Sequence, residues 1–217
     1  MFRRELIKTA SVITAASAAA AMPNAAWAQR SYQEGQDYVA LDKRVPGDSA
    51  AARVEVIEFF WYSCPHCNAF EPRLEQWAAK LPKEITLRRV PVAFRDDFVP
   101  QQRLFYVLEA MGKVEELHKK VFYAIHVEKR PLNSQAAIGE WIVAQGVNKV
   151  KFDELYNTFA IQAKSTRATK LQNDYKVSGV PAMGIAGRFY TDGALAQSME
   201  RALEITDWLV SEVKKGR

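Results

Sequence analysis

The two cysteines of this 217-residue chain both fall in one tetrapeptide, Cys64-Pro65-His66-Cys67. A bridge across so short a loop removes little entropy from the unfolded chain and cannot staple a fold together. Stability must come from an ordinary apolar core, and a composition that is 48% hydrophobic supplies enough for one domain, or one domain with a sizeable insertion. The pair itself is left for redox chemistry or for a metal. Zinc asks for about four ligands, and besides the pair the chain holds His66, His118 and His126. The last two are eight residues apart, a poor match for shared chelation from one helix. No metal site is expected, and both are read as helix-surface or satisfied core residues.

The flanks of the tetrapeptide say what carries it. Val54 to Tyr62 is nearly continuously apolar and rich in β-branched and aromatic residues, as in a strand covered on both faces. Pro65 suits the first position of a helix, and Cys67, Phe70, Leu74, Trp77 and Leu81 follow at spacings of three and four, making one apolar face. Pro72 lies inside that helix and predicts a kink. Ile85 to Phe94 reads as a second strand, so the order is strand, helix, strand with a right-handed crossover.

From Pro100 to about Tyr175 the pattern becomes helical. Leu104, Val107, Leu108, Met111, Val114, Leu117, Val121 and Ile125 keep a period near 3.6, Ser134 caps a helix ending at Gly146, and Leu155, Phe159 and Ala163 mark another. Pro181 to Tyr190 then holds two short apolar runs around a turn at Ala186-Gly187, and Met199, Ala202, Leu203, Ile205, Leu209 and Val213 form a closing amphipathic helix. The predicted class is α/β, with an all-helical block inserted before the sheet resumes.

A thiol attacks or leaves as thiolate, so its environment decides its use. With Cys64 at the N-cap, unpaired backbone N–H groups of the first turn face its sulfur, the positive end of the helix dipole points at it, and His66 adds a donor or a full charge. Cys67, a turn further in, receives less. A thiolate stabilised at Cys64 favours the reduced pair, so the disulfide form hands its oxidation to another dithiol. Glu55 and Glu58 are three apart on the first strand and point to opposite faces, so at least one faces burial. Mid-strand Glu58 is the better candidate for a raised pKa and a proton-relay role.

Arg3, Arg4 and Lys8 precede an Ala-rich stretch and Ala26-Trp27-Ala28, the pattern of a leader cleaved after residue 28. The adjacent arginines fit a twin-arginine export signal as well as the general secretory route. Export delivers the pair to an oxidising compartment, where its disulfide persists. The net charge of +5 is not gathered into the stripe a nucleic-acid groove needs, so no nucleic acid is expected.

With Cys-Pro-His-Cys between strand and helix and Val180-Pro181 far downstream, the chain resembles the DsbA family of periplasmic thiol oxidases over nearly its whole mature length. The resemblance implies a thioredoxin fold formed by residues 29–95 and 176–217, with a helical domain inserted at 96–175. It implies a protein dithiol oxidase in which Cys64 is the exposed nucleophile, Cys67 the buried partner and His66 the residue that most favours the reduced form. By the same resemblance Pro181 is a cis-proline opposite the active site, and Val180 offers its backbone to an extended substrate. The family also has a buried glutamate at Glu58 and an acid at Glu71. The usual lysine partner of that acid corresponds here to Arg89, whose guanidinium keeps the charge but does not release its proton, so a relay through the partner is in question.

The cofactor is then the redox-active Cys64-Cys67 disulfide alone. Expected partners are reduced, unfolded exported polypeptides and a membrane quinone-linked reoxidising protein, with the chain itself a periplasmic monomer. Two other activities compete. One is a thiol reductase or disulfide isomerase, against which His66 argues. The other is a non-enzymatic chaperone with Trp61, Tyr62, Phe94 and Met183 lining an apolar surface.

Overall fold

The computed structural model describes residues 31–47 and 53–216, and the leader expected at 1–28 lies outside them. The apolar run after Arg53 forms an interior strand of a five-stranded sheet. The strands are β1 (Val39–Ala40), β2 (Val54–Phe60), β3 (Ile85–Pro91), β4 (Ala182–Ile185) and β5 (Phe189–Asp192), in the order β1-β5-β4-β2-β3. β2 runs parallel to β3 and antiparallel to β4, and the other pairings are antiparallel. Six of the seven residues of β2 are buried, as a strand covered on both faces requires. Both strands of the first unit end earlier than their apolar runs, at Phe60 and Pro91.

Helix α1 (Pro65–Ala78) connects β2 to β3 and continues through Pro72. Phe70 and Leu74 pack against one face of the sheet with Val56, Met183 and residues of the closing helix α7 (Met199–Lys214). Ile57 and Phe59 point the other way, into a larger core shared with five helices that stand between β3 and β4. These are α2 (Val99–Ala110), α3 (Val114–His126), α4 (Gln135–Ala144), α5 (Lys149–Tyr156) and α6 (Phe159–Asp174). α/β layering is therefore as the sequence predicts.

Two details of the helical stretch differ. The unbroken periodicity from Leu104 to Ile125 is divided at Gly112 (φ +65°), where the Lys113 N–H returns to the Leu108 carbonyl at 2.8 Å and closes α2. The stripe Leu155, Phe159, Ala163 is divided too. Thr158 caps α6 by accepting from the Ile161 N–H, and Phe159 is left 82% exposed while Tyr156 and Ile161 enter the core. Ser134 caps α4, and Gly146 ends it, as expected.

Candidate active site

Cys64 adopts extended backbone angles at the N-cap of α1. Its carbonyl accepts the first helical bond from Asn68, and its sulfur accepts the Cys67 N–H at 3.4 Å. Cys64 keeps 8% exposure, Cys67 none, so only the first sulfur is reachable from solvent. Pro65 and His66 are exposed beside it.

The two thiols are pushed in opposite directions. The Cys67 thiol donates to Cys64, backbone N–H groups of Cys67 and His66 face its sulfur and the His66 charge adds to them; against the cost of burial these bring Cys64 down to about 6. Burial, the adjacent Cys64 sulfur and the charge of Glu58 push Cys67 well above the ordinary thiol range. The arrangement suits Cys64 as nucleophile and leaving group and keeps Cys67 protonated.

The loop before β4 closes over this pair. Cys64 Sγ donates to the Val180 carbonyl at 3.3 Å, and the Val180-Pro181 peptide bond is cis. A groove of about 440 Å³ runs from His66 and Val180-Pro181 to Asp192, Gly193 and Met199. The segment before Cys64 is held from the helical side: the Ser63 N–H donates to Gln101 Oε1, while Gln101 Nε2 donates to Ser63 Oγ at 2.7 Å and to the Pro131 carbonyl at 2.9 Å.

Below the pair lies a buried charged cluster. Glu58 is fully buried on β2, opposite Arg89 in the β3 register, with its Oε2 3.2 Å from Arg89 Nε. Glu71, one turn beyond Cys67, receives the Arg89 guanidinium on its Oε1. Burial and the nearby Glu71 charge raise Glu58 to about 8 against the lowering pull of Arg89. Burial would raise Glu71 as well, but His118 and Arg89 outweigh it and hold that carboxylate below its usual range. Glu55 faces the opposite side and is buried, paired there with the half-buried Arg88.

His118 and His126 are the residues whose part the sequence hides. Both reach Tyr62: His118 Nδ1 lies 2.8 Å from the Tyr62 hydroxyl, and His126 Nε2 lies 2.8 Å from its carbonyl. His118 also places Nε2 3.5 Å from Glu71 Oε2. A spacing of eight, read as a poor chelating pair, is two turns of helix and sets both on the side of α3 that faces the site. Among the described residues no group of three or more metal-ligating side chains occurs. Of the four residues offered as a chaperone surface, Tyr62 and Met183 belong to the core and Trp61 stacks on Phe98 with ring centroids 3.7 Å apart; Phe94 alone is exposed.

Residues 55–204 match the family model described as a DSBA-like thioredoxin domain. The chain is 41% identical over 180 residues to the thiol:disulfide interchange protein DsbA of Burkholderia cepacia, covering 83% of this chain and 85% of that one. It is 36% identical over 201 residues to the protein of that name from Pseudomonas aeruginosa, covering 93% and 95%. The crystal structure of Pseudomonas aeruginosa DsbA superposes with a TM-score of 0.81 at 36% identity, over 85% of this chain and 96% of that one.

Proposed function

Because this chain belongs to the DsbA family and is a thiol:disulfide oxidoreductase, we propose that it runs in the oxidising direction, passing a Cys64-Cys67 disulfide to reduced polypeptides. The observation that carries this reading is the placement of the two thiols, Cys64 at the helix N-cap with its sulfur facing the Cys67 N–H and Cys67 fully buried, which pulls Cys64 down to about 6 and pushes Cys67 up. A substrate thiolate attacks Cys64, Cys67 leaves and is protonated, and a mixed disulfide forms. A second substrate thiol then displaces Cys64 as the better leaving group and closes the substrate's own bridge.

In this reading Cys64 is the nucleophile, Cys67 the resolving thiol, Pro65 the residue that starts the helix under them, and His66 an exposed charge favouring the reduced form. Val180 and Pro181 form the backbone edge for an extended substrate, supported by the contact between Cys64 and the Val180 carbonyl. Glu58 is the buried acid serving Cys67, and Glu71 with Arg89 supports it. The disulfide is the whole redox cofactor. Residues 29–95 and 176–217 act as the catalytic layer and 96–175 as a helical domain inserted in it, with 1–28 removed on export to the periplasm. Clients are newly exported reduced chains, met by a monomer and followed by reoxidation at a quinone-linked membrane protein. No helix among the described residues is long and apolar enough to cross a membrane.

The test is the thiolate absorbance of the reduced pair against pH, with the equilibrium constant in a glutathione buffer. One thiol ionising near 6 and a constant favouring reduction of the pair are expected. Two thiols ionising together in the free-cysteine range would sink the assignment.

A further inference from the structure

Two buried carboxylates and one guanidinium do not balance. Glu58 and Glu71 both engage Arg89, and the three side chains are 1%, 5% and 17% exposed. Ionising both acids would leave a net negative charge out of water, so one of them keeps a proton. Which one is decided by what else each carboxyl meets. Beyond the ion pair with Arg89, neither oxygen of Glu58 has a hydrogen-bond partner. Glu71 Oε2 faces His118 Nε2 at 3.5 Å, and both atoms are buried with no hydrogen bond elsewhere. On the far side of the ring, Nδ1 meets the Tyr62 hydroxyl. The Tyr62 hydroxyl can donate to Nδ1, and the tautomer that accepts it carries the ring hydrogen on Nε2, on the side of Glu71.

We propose that His118 is a positioning residue of the redox site: anchored by Tyr62, it turns an N–H toward Glu71, keeps that group as Arg89's anionic partner, and so leaves the shared proton on Glu58. The inference rests on Glu58 serving Cys67. When a substrate thiolate attacks Cys64 the disulfide breaks, its electron pair leaves on the Cys67 sulfur, and the Glu58 carboxyl gives that sulfur its proton, becoming a carboxylate against Arg89. Burial keeps His118 itself neutral, lowered from the usual imidazole range. The groups around it are consistent with one acceptor: Glu71 and Glu75 of α1, Arg89 of β3, Phe60 and Tyr62 on and after β2, Phe105 of α2, and Phe122 and Lys119 of its own helix. Glu75 is engaged by Lys119 at 2.5 Å, which leaves Glu71 as the carboxylate for the ring.

The experiment is a carboxyl carbon NMR titration of the full chain, with the oxidation rate of a dithiol peptide measured in parallel. In the parent at pH 7, Glu58 is expected protonated and Glu71 ionised. His118→Phe should cut the protonated fraction of Glu58 by about half or more, with Glu71 gaining what Glu58 loses, and should slow oxidation about two-fold or more. His118→Gln, which keeps an N–H near Glu71, should restore both. In a Glu58→Gln background His118→Phe should leave the rate unchanged. An unmoved Glu58 fraction in His118→Phe, or the same loss in the Phe and Gln variants, overturns the proposal. Should His118→Phe fail to fold, Tyr62→Phe decides: a partial transfer of the proton to Glu71 supports the proposal, none overturns it. A parent that cannot exchange disulfides would defeat the proposed function, while the titration would still settle what His118 does.

Discussion

A fully buried carboxyl raised to about 8 makes Glu58 a source of pH-dependent stability. Its folded pKa lies above the unfolded value, so its contribution is complete below the ordinary carboxylate range and is lost as pH rises through about 8. Glu58→Gln should therefore match the parent near pH 5 and exceed it at pH 9 by a few kcal/mol, read from urea midpoints at the two pH values. An equal gap at both would mean that Glu58 is ionised throughout. His66 acts at the surface of the same site. Its charge is the smallest of the influences that lower Cys64, behind the Cys67 thiol and the backbone N–H groups. His66→Ser is expected to lower the reduction potential by roughly 30 mV, a tenfold change in the exchange constant. An unchanged potential would leave the Cys67 thiol and the backbone N–H groups of the helix terminus as the cause.

The hairpin of β4 and β5 holds the edge that faces Cys64, and its turn is built from two adjoining residues at positive φ, Ala186 at 55° and Gly187 at 67°. Gly187 donates to the Tyr175 hydroxyl at 2.9 Å and accepts from the Val45 N–H at 2.8 Å, and a Cβ there would sit 2.0 Å from the Val45 carbonyl oxygen. Ala186 bears the same backbone region with a side chain that dislikes it. Opposite effects follow at neighbouring positions. Gly187→Ala should destabilise by about 2 kcal/mol or more, and Ala186→Gly should stabilise by up to about 1 kcal/mol, both measured by thermal melting. The helical elements teach a different lesson. A single apolar period runs across Gly112, because α2 and α3 both turn their apolar faces to one core. Only the glycine, at the position where a left-handed residue closes a helix, marked the break in the sequence.

On the scale of the whole molecule, the redox state of two cysteines is coupled to the stability of the fold. The folded pKa of Cys64 is depressed, so its ionisation stabilises the reduced protein above the ordinary thiol range, and that contribution is lost as pH falls through about 6. The unfolding midpoint of the reduced protein should therefore rise relative to the oxidised one between pH 5 and pH 8, by the equivalent of about 1 kcal/mol after solvent screening. Paired melts that stay parallel across that range would contradict it. The sequence by itself determined the layer order, the strand-to-helix junction that puts Cys64 at a helix terminus, and the hairpin at Ala186-Gly187, because each depends on residues within one or two turns of one another. It also made Glu58 a candidate for burial, since two acids three apart on a doubly covered strand cannot both face water. Tertiary structure alone decided that Arg89 lies between Glu58 and Glu71, that Gln101 grips Ser63, and that His118 reaches Glu71. Those contacts join residues between 18 and 47 positions apart from different elements. Whether a charged side chain is paired or stranded is set by which element packs against it, and no local period in the chain records that.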